Sequence, residues 1–253
     1  MITVYLVFLR GKHESKWKGP RNREIKHFKD SFPPDLPVNL TAFNPRMSTF
    51  EKEMLLDIME TFDTKMKELS LTYHLYGGSL LGLYRHGGII PWDDDIDVWI
   101  NNSQSALFKK EFKNLAGFGI FSPKNSTWKL YSEGGMPVYG EGYTWPFVDI
   151  FQFDENATHT WDTSSQYKEL FVYKKADVYP LKRCSFEKLM LNVPKNLERI
   201  VTTNYDPEIC ATNKFDHKMN QPVQLQRQAL PCKHLNKYFK FQKPSCGDNP
   251  PVT

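Results

Sequence analysis

The sequence predicts an α/β (α+β) fold, a mixed sheet flanked by helices. Three stretches point there: Ser48 to Ser70 has helical periodicity, Asp95 to Ile100 alternates like a strand, and apolar residues surround Asp149 from Phe147 to Phe151. Helical and strand signals alternate along the chain, the pattern of a sheet covered by helices.

Taken in order, Met1 to Leu9 is apolar, but these nine residues fall short of the about twenty that span a bilayer. Its charges (Arg10, Lys12, Lys16, Lys18) follow the run, whereas a signal peptide carries them before it. The segment reads as the remnant of a truncated membrane anchor or as a first β-strand. Residues 10–47 are basic and then proline-rich (Pro33, Pro34, Pro37, Pro45), the composition of a stem. Ser48 and Glu51 form a capping box, and Met54, Leu55, Ile58, Phe62, Met66 and Leu69 make one apolar stripe for the core. Leu71 to Tyr76 is strand-like. Gly77-Gly78-Ser79 then turns the chain, with Ser79 expected to cap a short helix from Leu80 to Arg85. Ser103 is expected to cap a helix through Leu115, and Gly134, Gly135, Gly140 and Gly142 to form a substrate loop before the Asp149 strand. Residues 48–203 make the main domain. Residues 204–253, rich in Pro, Gln and Lys without a clear period, form an extension laid partly extended across it.

Composition bounds the function. With 253 residues and 40% hydrophobic content the chain can bury one substantial core. A net charge of +4 helps an anionic ligand approach, and no basic stripe or reader motif points to nucleic acid. Cys184, Cys210, Cys232 and Cys246 contain no CxxC pair, so two disulfides tying down the C-terminal segment are the preferred reading over zinc or free thiols. Sequons begin at Asn39, Asn101, Asn125 and Asn156. With the cysteines they tilt towards the secretory pathway.

The chemistry concentrates in Asp93, Asp94, Asp95 and Asp97. Carboxylates that close repel by roughly 0.5–1 kcal/mol per pair even in water. The cluster leads straight into Val98-Trp99-Ile100, an apolar strand, where a divalent cation would neutralise it. Strand alternation puts Asp95 and Asp97 on one face, able to grip Mg²⁺ or Mn²⁺. The plain alternative is an acidic surface turn. The preceding Gly-Gly-Ser turn and helix start, which suit a phosphate, weigh against it. Asp149 offers a third carboxylate or, alternatively, a strand-end Asp bonded to backbone. Arg85 has the planar fork for a phosphate, or for a salt bridge to the Asp cluster. His86 reads as a packing residue, and Trp92 as a wedge holding the loop.

Gly78, Leu81-Gly82, Arg85-His86, Gly88, Ile90-Pro91-Trp92 and Asp93-Asp94-Asp95-Ile96-Asp97 together resemble the signature of the LicD family. That family includes bacterial phosphocholine transferases and animal fukutin-type ribitol-phosphate transferases, within the nucleotidyltransferase superfamily. Weaker echoes follow at 147–151 and 179–196. The resemblance implies transfer of a substituted phosphate from a CDP-linked donor to a hydroxyl of a glycan or glycoprotein. It implies Mg²⁺ or Mn²⁺ held by Asp95, Asp97 and Asp149 as the catalytic carboxylates. Gly78, Ser79 and Arg85 would receive the donor phosphate, while Asp93 and Asp94 orient waters or Arg85 around the metal. Animal relatives place such an enzyme in the Golgi lumen. Two alternatives stand beside this reading: a nucleotide-sugar glycosyltransferase, whose DxD also grips a diphosphate-bound metal, and a non-catalytic lumenal protein that keeps the fold.

Overall fold

The computed structural model describes residues 40–124, 126–223 and 228–247. Met1 to Leu9, most of the stem, and the sequon residues Asn39 and Asn125 lie outside the described residues.

The capping box at Ser48 starts helix α1 (Thr49–Glu68) as its residues require: Ser48 Oγ accepts from the Glu51 N–H at 3.3 Å, and Glu51 accepts from the Ser48 N–H at 2.8 Å. Its apolar stripe buries Leu55, Ile58, Phe62 and Met66, with Met54 and Leu69 at the margin. This face packs over the central sheet. The sheet runs β1-β2-β5-β4-β3, with β1 at Tyr73–Leu75, β2 at Ile96–Asn101, β3 at Phe118–Phe121, β4 at Trp128–Pro137 and β5 at Thr144–Glu155. Among the described residues only β2 and β5 pair in parallel; β6 (His159–Asp162) and β7 (Val172–Lys174) extend the sheet beyond β5, again antiparallel. Helix α2 (Gly77–His86) crosses from β1 to β2, and α3 (Ser105–Phe112) follows β2. After α4 (Lys175–Val178), β8 (Lys182–Phe186) and β9 (Leu189–Val193) form a second sheet, and α5 (Leu197–Asn204) packs against α2 and α4. The fold is α+β, a mixed sheet with helices against it.

Three local expectations change. Helix α2 starts at Gly77 rather than Leu80, because Gly77 adopts a φ of +53° and lets the chain turn at Tyr76. Ser79 therefore lies inside the helix and does not cap it. Near Ser103 the cap is Asn101, whose Oδ1 accepts from the Ser103 N–H at 2.9 Å; a 3₁₀ turn follows, then α3 from Ser105 to Phe112. The glycine-rich section forms a hairpin rather than a loop. Gly134 and Gly135 lie in β4 at a register shift, where a side chain on Gly135 would meet Thr144 and the Trp145 carbonyl.

The C-terminal segment folds back over the domain. Strand β10 (Ile209–Ala211) pairs with β13 (Ala229–Pro231), β11 (Phe215–Asp216) with β12 (Gln221–Pro222), and β14 (Cys246–Gly247) with β8. Disulfides Cys210–Cys232 and Cys184–Cys246 tie it down, the pairing type preferred from the sequence. The end of the stem joins it: Phe43 is fully buried edge-on against Trp92, and Arg46 bonds Asp216 at 2.8 Å. Among the described residues, no helix is long and apolar enough to cross a membrane.

Two buried polar groups stand out in this core. Asp63 on α1 accepts from Tyr73 Oη at 2.5 Å, from Lys67 at 2.6 Å and from both Arg183 Nη atoms at 2.6 and 2.8 Å. His74 on β1 is 1% exposed, with Trp99 and Phe153 around its ring, and its Nε2 has no hydrogen-bond partner among the described residues. Burial lowers its pKa to about 4, although its Nδ1 bonds the Leu75 carbonyl. A folded pKa below the unfolded 6.5 means that wild type loses stability as pH falls from 6.5 towards 4. His74→Phe removes that penalty. It is expected to match wild type near pH 7.5 and gain about 2 kcal/mol over it at pH 5, in urea denaturation at both pH values. An advantage independent of pH would show that His74 is not the buried titrating group.

Candidate functional site

The parallel β2–β5 ladder builds the site's floor. Its register sets Asp97 beside Asp149, with Ile96, Val98 and Ile100 buried in the same strand. Asp95 immediately precedes β2. On the other side of β5, Lys129 of β4 is Asp149's register partner, and its Nζ donates to Asp149 Oδ1 at 2.6 Å. Sandwiched by Lys129 and the β2 carboxylates, Asp149 is 6% exposed. The sequence-predicted carboxylates thus converge from two strands.

The start of α2 closes one wall. The first i→i−4 bond runs from Leu80 N–H to the Tyr76 carbonyl, so the N–H groups of Gly77, Gly78 and Ser79 have no partner inside the helix. Gly78 gives its N–H to the Asp97 carboxylate. A Cβ on Gly77 would lie 3.0 Å from Asp97 Oδ2, and one on Gly78 3.3 Å from Asp93 Oδ2. The two glycines are what lets the backbone approach the carboxylates. Ser79 Oγ accepts from the Asp97 N–H at 2.7 Å, locking helix to strand.

A residue the sequence reading missed sits at the centre. His217, just after β11, donates from Nδ1 to Asp94 Oδ1 at 2.7 Å and faces Asp95 Oδ2 with Nε2 at 3.2 Å. Asp94 Oδ2 also accepts from the His217 and Lys218 N–H groups at 3.0 and 3.3 Å, so Asp94 fixes this loop as well as the ring. Asn213 Nδ2 donates to Asp93 Oδ1 at 2.5 Å. Lys218 pairs with Glu51 on α1. The C-terminal segment therefore supplies a third wall.

The electrostatics record crowded negative charge. Burial first, then the charges of Asp149 and Asp93, push Asp97 up to about 8. Burial also holds Asp95 well above the carboxylate range against the pull of His217, with Asp97 adding to the rise. Asp93 is raised by burial and by Asp94. Burial would lower His217, but Asp95 and Asp94 outweigh it and raise it to about 10. Tyr167 and Tyr205 stand at the edge of this field; burial and then the Asp97 charge push both phenols up.

Arg85 is not brought to the cluster. Arg85 is 7% exposed at the far end of α2, its guanidinium donating to the Ile209 carbonyl at 3.1 Å and to His86 Nε2 at 3.0 Å, and lying over Trp92. It pins the C-terminal segment, and among the described residues it makes no direct salt bridge to the Asp cluster, although the Asp93 charge reaches it. Asp94 accordingly orients His217 rather than Arg85. His86 is the expected packing residue, bonded to the Lys240 carbonyl at 2.8 Å. Trp92 is a wedge, 1% exposed, its Nε1 donating to the Ala211 carbonyl at 2.9 Å.

Residues 70–196 match the profile of the LicD/FKTN/FKRP nucleotidyltransferase domain. The chain belongs to this family. The matched LicD domain holds α2, both carboxylate strands and the second sheet, but stops short of His217. Mouse ribitol 5-phosphate transferase FKRP is 26% identical over 157 residues, 59% of this chain and 31% of its own. Mouse ribitol-5-phosphate transferase FKTN is 26% identical over 211 residues, covering 78% of this chain and 40% of its own. The lipopolysaccharide cholinephosphotransferase LicD of Haemophilus influenzae is 42% identical over 53 residues, 21% of this chain and 20% of its own. The chain thus spans less than half the length of each of these relatives. The family resemblance is to transferases of substituted phosphate groups.

The donor set fits a divalent cation. Among the described residues, ligand atoms within 4.8 Å of one another come from Asp95, Asp149 and His217, and from Asp93, Asp94 and His217. Asp97, drawn towards the start of α2, completes neither trio. Carboxylates held up by burial and then by one another's charge are the environment that a cation relieves.

Proposed function

We propose that this chain transfers a phospho-alcohol group, of the ribitol-phosphate or phosphocholine kind, from a CDP-activated donor to a glycan hydroxyl. The observation that carries the reading is the Asp97–Asp149 register, with Asp95 beside it, facing the glycine start of α2. The acceptor oxygen forms a bond to the donor phosphorus next to the alcohol, the bond to the other phosphate breaks, and CMP leaves. The hydroxyl proton passes to a carboxylate, for which Asp149 is the candidate base, with Oδ1 bonded to Lys129. Gly78 and Ser79 at the start of α2 would receive a donor phosphate, the Gly78 N–H turning to it from the Asp97 carboxylate. Asp95, Asp97 and Asp149 would hold Mg²⁺ or Mn²⁺, which supplies neutralisation of diphosphate charge. Lys129 is the further cation beside the floor, and takes the phosphate-facing role considered for Arg85.

The names of the relatives support transfer of ribitol phosphate or choline phosphate, and the two disulfides support an oxidising compartment such as the secretory or Golgi lumen. The deciding experiment is binding of CDP, UDP and GDP to the purified chain, with and without Mg²⁺ or Mn²⁺. Selective CDP binding that chelator abolishes is expected, followed by turnover of CDP-ribitol or CDP-choline with release of CMP. Preference for UDP or GDP would instead favour a glycosyltransferase, and no nucleotide binding by folded protein a non-catalytic role.

A further inference from the structure

We infer that His217 is a nitrogen ligand of the metal, aimed by Asp94 and sharing the ion with Asp95 and Asp149. The inference rests on the metal-dependent reading above and extends the site into the C-terminal segment, outside the matched family domain.

The geometry is that of a ligating histidine. Such an imidazole gives one ring N–H to a carboxylate, which fixes the tautomer, and turns its other nitrogen to the ion. His217 Nδ1 lies 2.7 Å from Asp94 Oδ1, and Asp94 Oδ2 anchors the same residue's backbone N–H at 3.0 Å. The ring can then present only Nε2 to the floor. That nitrogen lies 3.2 Å from Asp95 Oδ2, and the trio with Asp149 falls within 4.8 Å. Metal–ligand bonds of about 2.0–2.2 Å put neighbouring ligands roughly 3 Å apart, so Nε2 and Asp95 Oδ2 are already spaced as neighbours around one ion. The loop is held independently of the ion: Arg46 bonds Asp216, Lys218 pairs with Glu51, and the Cys210–Cys232 disulfide closes the segment around it.

The consequence is selectivity. An imidazole ligand favours first-row transition ions, Mn²⁺ the weakest among them, over Mg²⁺, which prefers oxygen and water. The test is pulsed electron paramagnetic resonance of Mn²⁺ added to the full chain, together with titrations of Mn²⁺ and Mg²⁺. Bound Mn²⁺ is expected to show the ¹⁴N coupling of a directly attached imidazole, lost in His217→Gln. That variant should bind Mn²⁺ at least about 10- to 100-fold more weakly, the cost of losing even a residue that only orients a ligand, with a smaller change for Mg²⁺. Bound Mn²⁺ without directly coupled ¹⁴N, or with coupling unchanged in His217→Gln, would overturn the inference while leaving the metal reading intact. No Mn²⁺ binding by the folded wild type would remove both. The wild-type spectrum decides even if the variant folds poorly.

Discussion

Asp97→Ala is expected to abolish cation-dependent CDP binding and to lower phosphate transfer by on the order of 10³-fold or more, the several kcal/mol that charge neutralisation supplies. The fold should survive, because the side chain accepts only the Gly78 N–H while the backbone makes the links that hold helix to strand: its N–H donates to Ser79 Oγ and its carbonyl accepts from Tyr76 N–H at 3.1 Å. The metal-free protein should in fact become more stable. Burial and the charges of Asp149 and Asp93 hold the Asp97 carboxyl up to about 8, so near neutral pH the folded state opposes an ionisation that the unfolded chain allows, a penalty that the variant lacks. A gain on the order of 1 kcal/mol is the usual return for relieving such a functional compromise. Asp97→Asn, which keeps the volume, should behave alike. Calorimetric CDP titration with and without Mg²⁺, paired with urea denaturation in chelator, reads both effects. A variant that binds CDP and Mg²⁺ like wild type removes Asp97 from the metal site; one that loses stability in chelator shows that it serves the fold.

The floor of this site was legible because its chemistry is local. Asp93 to Asp97 are contiguous, the apolar run after them marks a strand, and the apolar frame of Asp149 marks another. Helix α1 was legible for the same reason, since its capping box and stripe depend on residues three and four apart. His217, Asn213 and Lys129 were not. Asn213 and His217 meet the cluster from about 120 residues away in sequence, and nothing in Asn213-Lys214-Phe215-Asp216-His217 has a ligand spacing. A usable signal lay in the cysteines: His217 falls between Cys210 and Cys232, so a disulfide there fixes the loop that carries it. Helix geometry explains why Arg85 does not reach the carboxylates. Six residues beyond Ser79, it lies about 9 Å further along the axis and on a different face, away from the helix start. Ser79 was given a capping role from its preference alone, but the positive φ of Gly77 begins the helix two residues ahead of it.

Asp63→Ala is expected to be the most destabilising single change in the described core, at about 3–5 kcal/mol. This carboxylate is 6% exposed and joins three elements: its own helix through Lys67, β1 through Tyr73, and β8 through the bidentate Arg183 pair. Its removal leaves a largely buried guanidinium without its charge partner and a buried phenol without its acceptor. Arg183 keeps Asn192 at 3.1 Å, a neutral contact that replaces neither charge nor fork geometry. Against a domain stability of roughly 5–15 kcal/mol the loss is large enough to populate unfolded chains. The matched control lies on the same helix. Asp57 pairs with Lys188 at 3.3 Å, but its side chain is 68% exposed, so Asp57→Ala should cost less than about 0.5 kcal/mol. Urea midpoints of the two variants at equal m-values test the contrast, with Arg183→Met/Asp63→Leu as a double replacement. If burial without a partner is the cause, the double variant should recover much of the loss, since the charges then leave together. A double variant no better than Asp63→Ala would mean that the ion pair itself, rather than the penalty for breaking it, holds α1 against the second sheet.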